Sequence, residues 1–529
     1  MTLDSDKRIF SHTISVTTLY MNTRIKKFDF ENLFTLEMAN NHQGSVAHGK
    51  KIISEMGKVI KKHGVRAAMK FQFRHIDTFI HPDYLKDTDN KHVSRFLGTK
   101  LSKEQFEELI AASRAAGFVT MSTPFDEASV EMLEKMDIDI LKVASCSAQD
   151  WPLLERMAVA GKPTIVSTGG LTLKEIDNLV TFFDHRYVDF AIQHCVAIYP
   201  TPNEEQQLNQ VRALKERYPH LTVGFSTHED GDNYEPVQVA YAQGARIFER
   251  HVGVETSKIK LNAYSSTPKQ IDNWIAAWQR AVTMCGSDVR PSPTEKELSD
   301  LRSLQRGVFL KKNVKKGTAL TKDDVFFAIP IQPGQLSSWE FKDGLVTKKD
   351  YKKNAALSEQ IKYKTTDKDI IYQTIHQVKG MLNEARIPVG DEFNVELSHH
   401  YGLQKFPKVG VVIIDCINRE YCKKILIQLP GQEHPYHHHV KKEEAFQVLS
   451  GKLHAELNGK KKVLYPGDVL VVQRGVKHRF WTDEGVIFEE VSSTHYNDDS
   501  FYEDKAISEL PREARKTKLV NWGRHQFDD

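Results

Sequence analysis

Apolar runs of strand length recur along the first half of the chain, each followed by a segment whose apolar residues fall at three- and four-residue spacing. The runs are LFTLEMAN (33–40), AAMKFQF (67–73), FVTMSTPF (118–125), DILKVAS (139–145), PTIVSTG (163–169), VDFAIQHC (188–195), LTVGFSTH (221–228) and ARIFERHV (245–252). Intervening segments such as SKEQFEELIAASRAAG and PNEEQQLNQVRALKERYP read as amphipathic helices, the second opening on Pro202 at a start position. Strand, helix and strand in succession form the parallel crossover. Eight alternations predict an α/β fold, a closed (β/α)8 TIM barrel. An open doubly wound sheet is the rival, but it normally has fewer repeats and a glycine-rich first turn, absent here.

From about residue 393 the pattern changes to short runs divided by Gly and Asp turns, such as KKILIQL, EEAFQVLSG and KVLYPGDVLVV, which predicts an all-β barrel or jelly roll. The expected order is an N-terminal tail (1–28), the barrel (29–285), a polar linker or short final helix (286–303), a small β module (304–365), a linker (366–392), the all-β domain (393–510) and a C-terminal tail (511–529).

Composition narrows the function less than the pattern does. A chain of 529 residues needs two or three domains. The 73 basic and 70 acidic residues nearly cancel, so charge gives no argument for nucleic acid. No apolar run approaches a membrane span, and the five scattered cysteines fit a reducing, cytoplasmic setting.

In a (β/α)8 barrel the site is built at the carboxyl ends of the strands. Those ends carry Glu37, Asn40, Asn41 and His42; Lys70 and Gln72; Ser122 and Thr123; Lys142 and Ser145; Ser167 and Thr168; Gln193, His194 and then Tyr199; Ser226 and His228; Glu249, Arg250 and His251. His228 and His251 end adjacent strands and form a candidate open metal site. A lysine inside a barrel is costly to desolvate, so Lys70 and Lys142 are expected to face a phosphate or carboxylate; the alternative is pairing with a barrel carboxylate such as Glu37. Ser145, Ser167 and the glycines of STGG add donors that an anion also wants. Such a pocket suits a phosphorylated acid together with a sugar aldehyde.

EMANNHQGS, MKFQ, STPFD, LKVAS, KPTIVSTGG, HCVAIYPTP, GFSTHE and ERHVG stand in the order found in the sialic acid (N-acetylneuraminate) synthase family, which residues 33 to about 285 resemble. The resemblance implies condensation of phosphoenolpyruvate with an open-chain aldose, usually an N-acylmannosamine-type sugar, to a 3-deoxy-2-keto nonulosonic acid and phosphate. It implies His228 and His251 as Mn2+ or Mg2+ ligands, Lys70, Lys142, Ser145 and Ser167 as the phosphoenolpyruvate cradle, and Glu37 as the group that steadies the cationic intermediate or moves the proton. Gln72, Thr123 and Tyr199 would contribute to sugar and intermediate binding, with Ser226 and Glu249 beside them. Residues from about 304 resemble the antifreeze-like (SAF) module of that family, here incomplete, and imply a homodimer. Three departures fall on the sugar side: Ala197 in HCVAIYP, Leu261 with Asn262 in KLNAYSSTP, and Gln332 in PIQPG. They suggest an altered aldose.

In the all-β domain, His437 and His439 lie two apart and so share one face of a strand; Glu444 and His478 complete a three-His, one-Glu shell. Gly431–Gly451 and Gly467–His478 resemble the two cupin motifs, with Gln473 and Thr482 replacing the usual Pro and Asn. Zn2+, Mn2+ or Fe2+ is expected there, with His434 and His438 as bystanders. The domain also resembles sugar-isomerase cupins, which makes Glu489 or Glu490 the candidate base. A second reading is a non-catalytic sugar-binding or regulatory protein with a degenerate synthase site. A third is another phosphoenolpyruvate-dependent 3-deoxy-ulosonate synthase.

Overall fold

The eight apolar runs become eight parallel strands: β1 (Leu33–Glu37), β2 (Ala67–Phe73), β3 (Val119–Pro124), β4 (Ile140–Val143), β5 (Thr164–Ser167), β6 (Phe190–Cys195), β7 (Val223–Thr227) and β8 (Ile247–Val252). Each pairs with the next, and β8 pairs back onto β1, which closes the barrel. A short strand, β9 (Ser265–Ser266), extends β8 at the rim. The structure is a computed structural model that describes residues 27–85, 89–358, 365–390, 392–520 and 522. It divides into two units, residues 1–292 and 293–529. Most of the expected N-terminal tail lies outside the described residues.

Strand alternation splits the first unit's core in two. Leu33, Ala68, Met121, Ile140, Ile165, Ala191 and Ile247 point inward and plug one end of the barrel. Their neighbours, among them Phe34, Leu36, Met69 and Phe71, point outward and pack under the helices. The plug leaves only the carboxyl half of the interior open to polar side chains. The helices start where the sequence offers caps: Ser102 accepts the Gln105 N–H at 3.3 Å while Gln105 accepts the Ser102 N–H at 2.7 Å. The segment after Pro202 is shorter than expected. Asn203–Glu205 forms a 3-10 turn, Gln207 adopts φ 51°, and the helix runs only over Asn209–Arg217.

In the second unit, helix Glu295–Ser303 occupies much of the expected polar linker. The small β module has its own core, formed by Val308, Leu310, Val314, Leu320, Leu336 and Leu357. Residues read as a linker form the helix Asp367–Glu384, capped by Thr366; Ile370, Ile371, Ile375, Val378 and Leu382 line its buried stripe. Its charges are the solvent face of an amphipathic helix, which explains the misreading.

The all-β domain is built from β14 (Asn394–Ser398), β15 (Val411–Asn418), β16 (Tyr421–Gln428), β17 (Glu433–His438), β18 (Glu444–Gly451), β19 (Leu453–Leu457), β20 (Lys460–Leu464), β21 (Val469–Val472), β22 (His478–Trp481), β23 (Val486–Ser493), β24 (Phe501–Tyr502) and β25 (Lys516–Leu519), numbered after four short strands of the β module, β10 (Gly307–Leu310), β11 (Ala319–Leu320), β12 (Val325–Ala328) and β13 (Leu345–Val346). One sheet runs β21-β18-β23-β16-β15-β14-β25 and the other β20-β19-β22-β17-β24. The expected C-terminal tail is therefore not a tail: Lys516–Leu519 pairs antiparallel with β14. None of the described helices is long and apolar enough to cross a membrane.

Candidate functional site

Above the apolar plug, the inward positions turn polar. Glu37, Lys70, Lys142, Ser167, Glu249 and His251 all sit at such positions near the strand ends, and all but half-buried His251 are nearly inaccessible. Lys70 Nζ bonds Glu249 Oε1 at 2.6 Å and also pairs with Glu37. Lys142 Nζ donates to Ser167 Oγ at 2.6 Å and lies 3.4 Å from Glu249 Oε2. The two cations expected to face an anion thus share a buried carboxylate, and Lys70 takes up Glu37 as well.

The electrostatics of this tetrad are uneven. Burial opposes ionisation of Glu249, but Lys142 and Lys70 override it and hold the carboxyl at about 2. Glu37 is pushed above the usual carboxylate range by burial, which its share of Lys70 does not offset. Burial also lowers Lys142, against the pull of Glu249. The site therefore contains one firmly ionised carboxylate and one that holds a proton more readily.

His228 and His251 come together, with ring centres 5.4 Å apart. His228 Nδ1 donates to the Val196 carbonyl at 3.1 Å, which leaves Nε2 free as a ligand. Burial holds both imidazoles neutral, down to about 3 for each, as metal binding requires. Tyr199 packs 4.2 Å from the His228 ring and 5.2 Å from Tyr264, which itself lies 5.2 Å from His251. The donor set fits a divalent cation with ligand positions left for substrate. Ser145 Oγ accepts the Gly169 N–H at 3.2 Å; a Cβ on Gly169 would approach that oxygen to 2.7 Å, so glycine permits this close contact.

Thr123 Oγ1 and both amide atoms of Gln193 are buried without hydrogen-bond partners among the described residues, as expected where substrate or water completes the site. Gln72 accepts from Arg74 at 3.2 Å, and Ser226 is buried on β7 beside Cys195. Not every strand-end residue joins the site. His194 bonds the Gln206 carbonyl at 2.8 Å and stacks on Phe225, while Arg250 points outward to the Asp230 carbonyl at 2.5 Å and lies 5.6 Å from the Trp274 ring. Strand parity decides this, because both are one position out of phase with the inward residues. Tyr264 was missed, having no apolar run to mark its loop.

The second unit holds a separate centre. One ligand atom from each of His437, His439 and His478 lies within 4.8 Å of the others, and all three residues are buried. A β-bulge between His434 and His437 re-aims the strand. Backbone carbonyls accept from the Nδ1 atoms: Pro435 from His437 at 3.1 Å, Val476 from His478 at 3.0 Å, and Asp499 from His439. Their Nε2 lone pairs are thereby left to converge. Glu444 Oε1 lies 3.4 Å from His439 Nε2, and its Oε2 is 3.2 Å from His478 Nε2 without a hydrogen bond. Burial opposes ionisation of Glu444, but Lys442, paired with it, holds it well below the usual range. Three imidazole nitrogens and an ionised carboxylate facing one point fit a divalent cation.

The two candidate bases separate by parity. Glu490 faces the cavity and accepts from Lys442 at 3.0 Å and Ser492 at 3.1 Å. Glu489 lies on the other face of β23, paired with Lys423 at 3.1 Å, and is not part of the cavity. His438 likewise points away and stacks on Phe501; His434, outside the metal-ligand cluster, stacks on Phe480 at 4.5 Å and lines the cavity. Lys442 was missed because its sequence context, VKKEE, looks like a solvated turn.

A closed barrel with this polar rim is followed by an all-β domain that carries its own metal-ligand cluster. Residues 58–290 match the NeuB family and residues 425–488 the cupin domain. The chain belongs to the NeuB family and carries a C-terminal cupin domain. It is 31% identical over 335 residues to an uncharacterized protein of Methanocaldococcus jannaschii, covering 63% of this chain and 90% of that one. It is also 31% identical over 232 residues to N-acetylneuraminate-9-phosphate synthase of Drosophila melanogaster, covering 42% of this chain and 60% of that one. A solved Chromobacterium violaceum structure, named for a spore coat polysaccharide biosynthesis protein E, matches with TM-score 0.60 and 42% identity over 62% of this chain and 98% of its own.

Proposed function

We propose that the barrel condenses phosphoenolpyruvate with the open-chain form of an aldose to give a nonulosonic acid of the sialic acid type and phosphate. The observation that carries this reading is the buried Glu37–Lys70–Glu249–Lys142 network, next to the His228–His251 pair on one rim. Lys70, Lys142, Ser145 and Ser167 hold the enol phosphate. A divalent ion on His228 and His251, Mn2+ or Mg2+, would supply polarisation of the aldehyde. The enol carbon then bonds to the aldehyde carbon. Water adds at the neighbouring carbon, and phosphate leaves from that carbon with its bridging oxygen. Glu37, whose proton affinity burial raises, exchanges the proton these steps require. Tyr199 and Tyr264 limit water at the rim.

The network also explains why cation and substrate belong together. Two lysines against two glutamates give no net charge with which to hold a polyanion, so the bound cation restores the balance. Ala197, Leu261 and Gln332 support an aldose other than the usual N-acetylated one, with the cupin acting on that sugar as isomerase or sensor. The family resemblance supports a homodimer.

The test is to incubate the full chain with phosphoenolpyruvate and a panel of aldoses, with mass detection of product and bridge-labelled phosphoenolpyruvate. Phosphate release that requires both aldose and divalent ion, and that carries the bridging label, is expected. Release without aldose refutes the reaction, and clear preference for N-acetylmannosamine refutes the altered sugar.

A further inference from the structure

The cupin cavity has a volume of about 400 Å3, ample for one monosaccharide, and its lining is strongly charged. Six lysines and arginines face five aspartates and glutamates in that lining, before the charge of any divalent ion is added. Most of the balance is local. Lys516 pairs with Glu396 at 2.9 Å, and Lys442 serves Glu444 and Glu490. Arg512 and Arg515 have no carboxylate within ion-pair distance among the described residues, and Arg515 Nε is buried without a partner.

Both guanidiniums line the same cavity as the metal-ligand histidines His437 and His439. Arg515 lies 5.5 Å from the Tyr502 ring, and Tyr502 stacks on His437 at 5.4 Å. His400 completes the wall: it is 1% exposed, its Nε2 has no partner among the described residues, and its backbone N–H donates to the Arg515 carbonyl at 3.0 Å. A buried donor or acceptor left open beside two unpaired guanidiniums is what a polyhydroxylated anion would satisfy. A neutral sugar would leave the guanidiniums unmatched.

We propose that the cupin cavity takes an anionic monosaccharide, whose hydroxyls meet the His437–His439–His478 centre and whose phosphate or carboxylate meets Arg512 and Arg515. The inference rests on the metal-cupin reading above. The anion has two possible sources, a phosphate ester on an aldose or the carboxylate of a sugar acid. Both share the chemistry that planar guanidinium forks recognise.

The experiment uses the full chain carrying His251→Ala, so that Co2+ reports on the cupin alone. Its visible spectrum is followed during titration with mannose, mannose 6-phosphate and mannonate at low and high salt. At least one anion is expected to bind about tenfold or more tighter than mannose, with an affinity that falls as salt rises; which anion binds tighter identifies the source. Arg512→Gln combined with Arg515→Gln is expected to abolish that preference while metal content stays unchanged. Should the double variant fail to fold, Arg512→Gln alone provides the same comparison. Equal affinity for mannose and both anions, or an undiminished preference in the variant, overturns the inference with the metal reading intact. Absence of bound Co2+ overturns both.

Discussion

Replacing Glu249 by Gln removes the one carboxylate that both barrel lysines share. Lys70 would keep Glu37, but Lys142, 2% exposed, would keep only the Ser167 hydroxyl at 2.6 Å. Breaking a buried ion pair by deleting one partner costs about 3–5 kcal/mol, and Lys142 can limit that cost by losing its proton. For a unit of this size each kcal/mol lowers Tm by about 2–4 °C, so a fall on the order of 10 °C is expected near neutral pH. Neutral Lys142 needs no counter-charge, so the deficit should shrink as pH rises towards the ordinary lysine pKa. An added anion can replace the lost charge, so phosphate should raise the variant's Tm by more than the parent's. Calorimetry of the full chain, with and without phosphate, reads both effects. A variant within about 2 °C of the parent at neutral pH, with no larger anion response, would refute the shared-carboxylate account.

Gly224→Ala would bring a Cβ to 2.7 Å from both Gln193 Cγ and Ile247 Cβ, and overpacking of this kind costs about 1–3 kcal/mol; urea unfolding checks it. Burial holds His42 neutral down to about 4, with its Nδ1 accepting the Gly44 N–H at 3.1 Å. Its contribution is fully present above the unfolded value of 6.5 and is lost as pH falls towards 4, on the order of 3 kcal/mol. His42→Asn should flatten that slope in unfolding curves measured across this range. In the cupin, Glu444→Gln should weaken metal binding at least about tenfold while Glu489→Gln leaves metal content unchanged, as metal analysis after dialysis would show.

Much of this was legible in the chain because the barrel's strand-end chemistry interrupts apolar runs. A lysine in AAMKFQF or DILKVAS has few destinations other than a polar interior. Parity was harder to read. Nothing in FERHV says whether Glu249 or Arg250 faces inward until the pairing with β1 fixes the register, and the same ambiguity linked Glu489 with Glu490. Helix Asp367–Glu384 was read as part of a linker and strand Lys516–Leu519 as part of a tail, because polar residues interrupt the apolar ones of their buried faces. Tyr264 and Arg515 lie in segments without periodicity, and only the folded chain brings them to a site.

Because Lys516–Leu519 closes onto Asn394–Ser398, the last turns of the cupin belong to its cavity. A protease cut near residue 510 would spare every imidazole of that centre yet strip away Arg512 and Arg515. Clipped material could therefore pass a metal assay while having lost its grip on ligand, so intact mass should be checked before any negative binding result is believed.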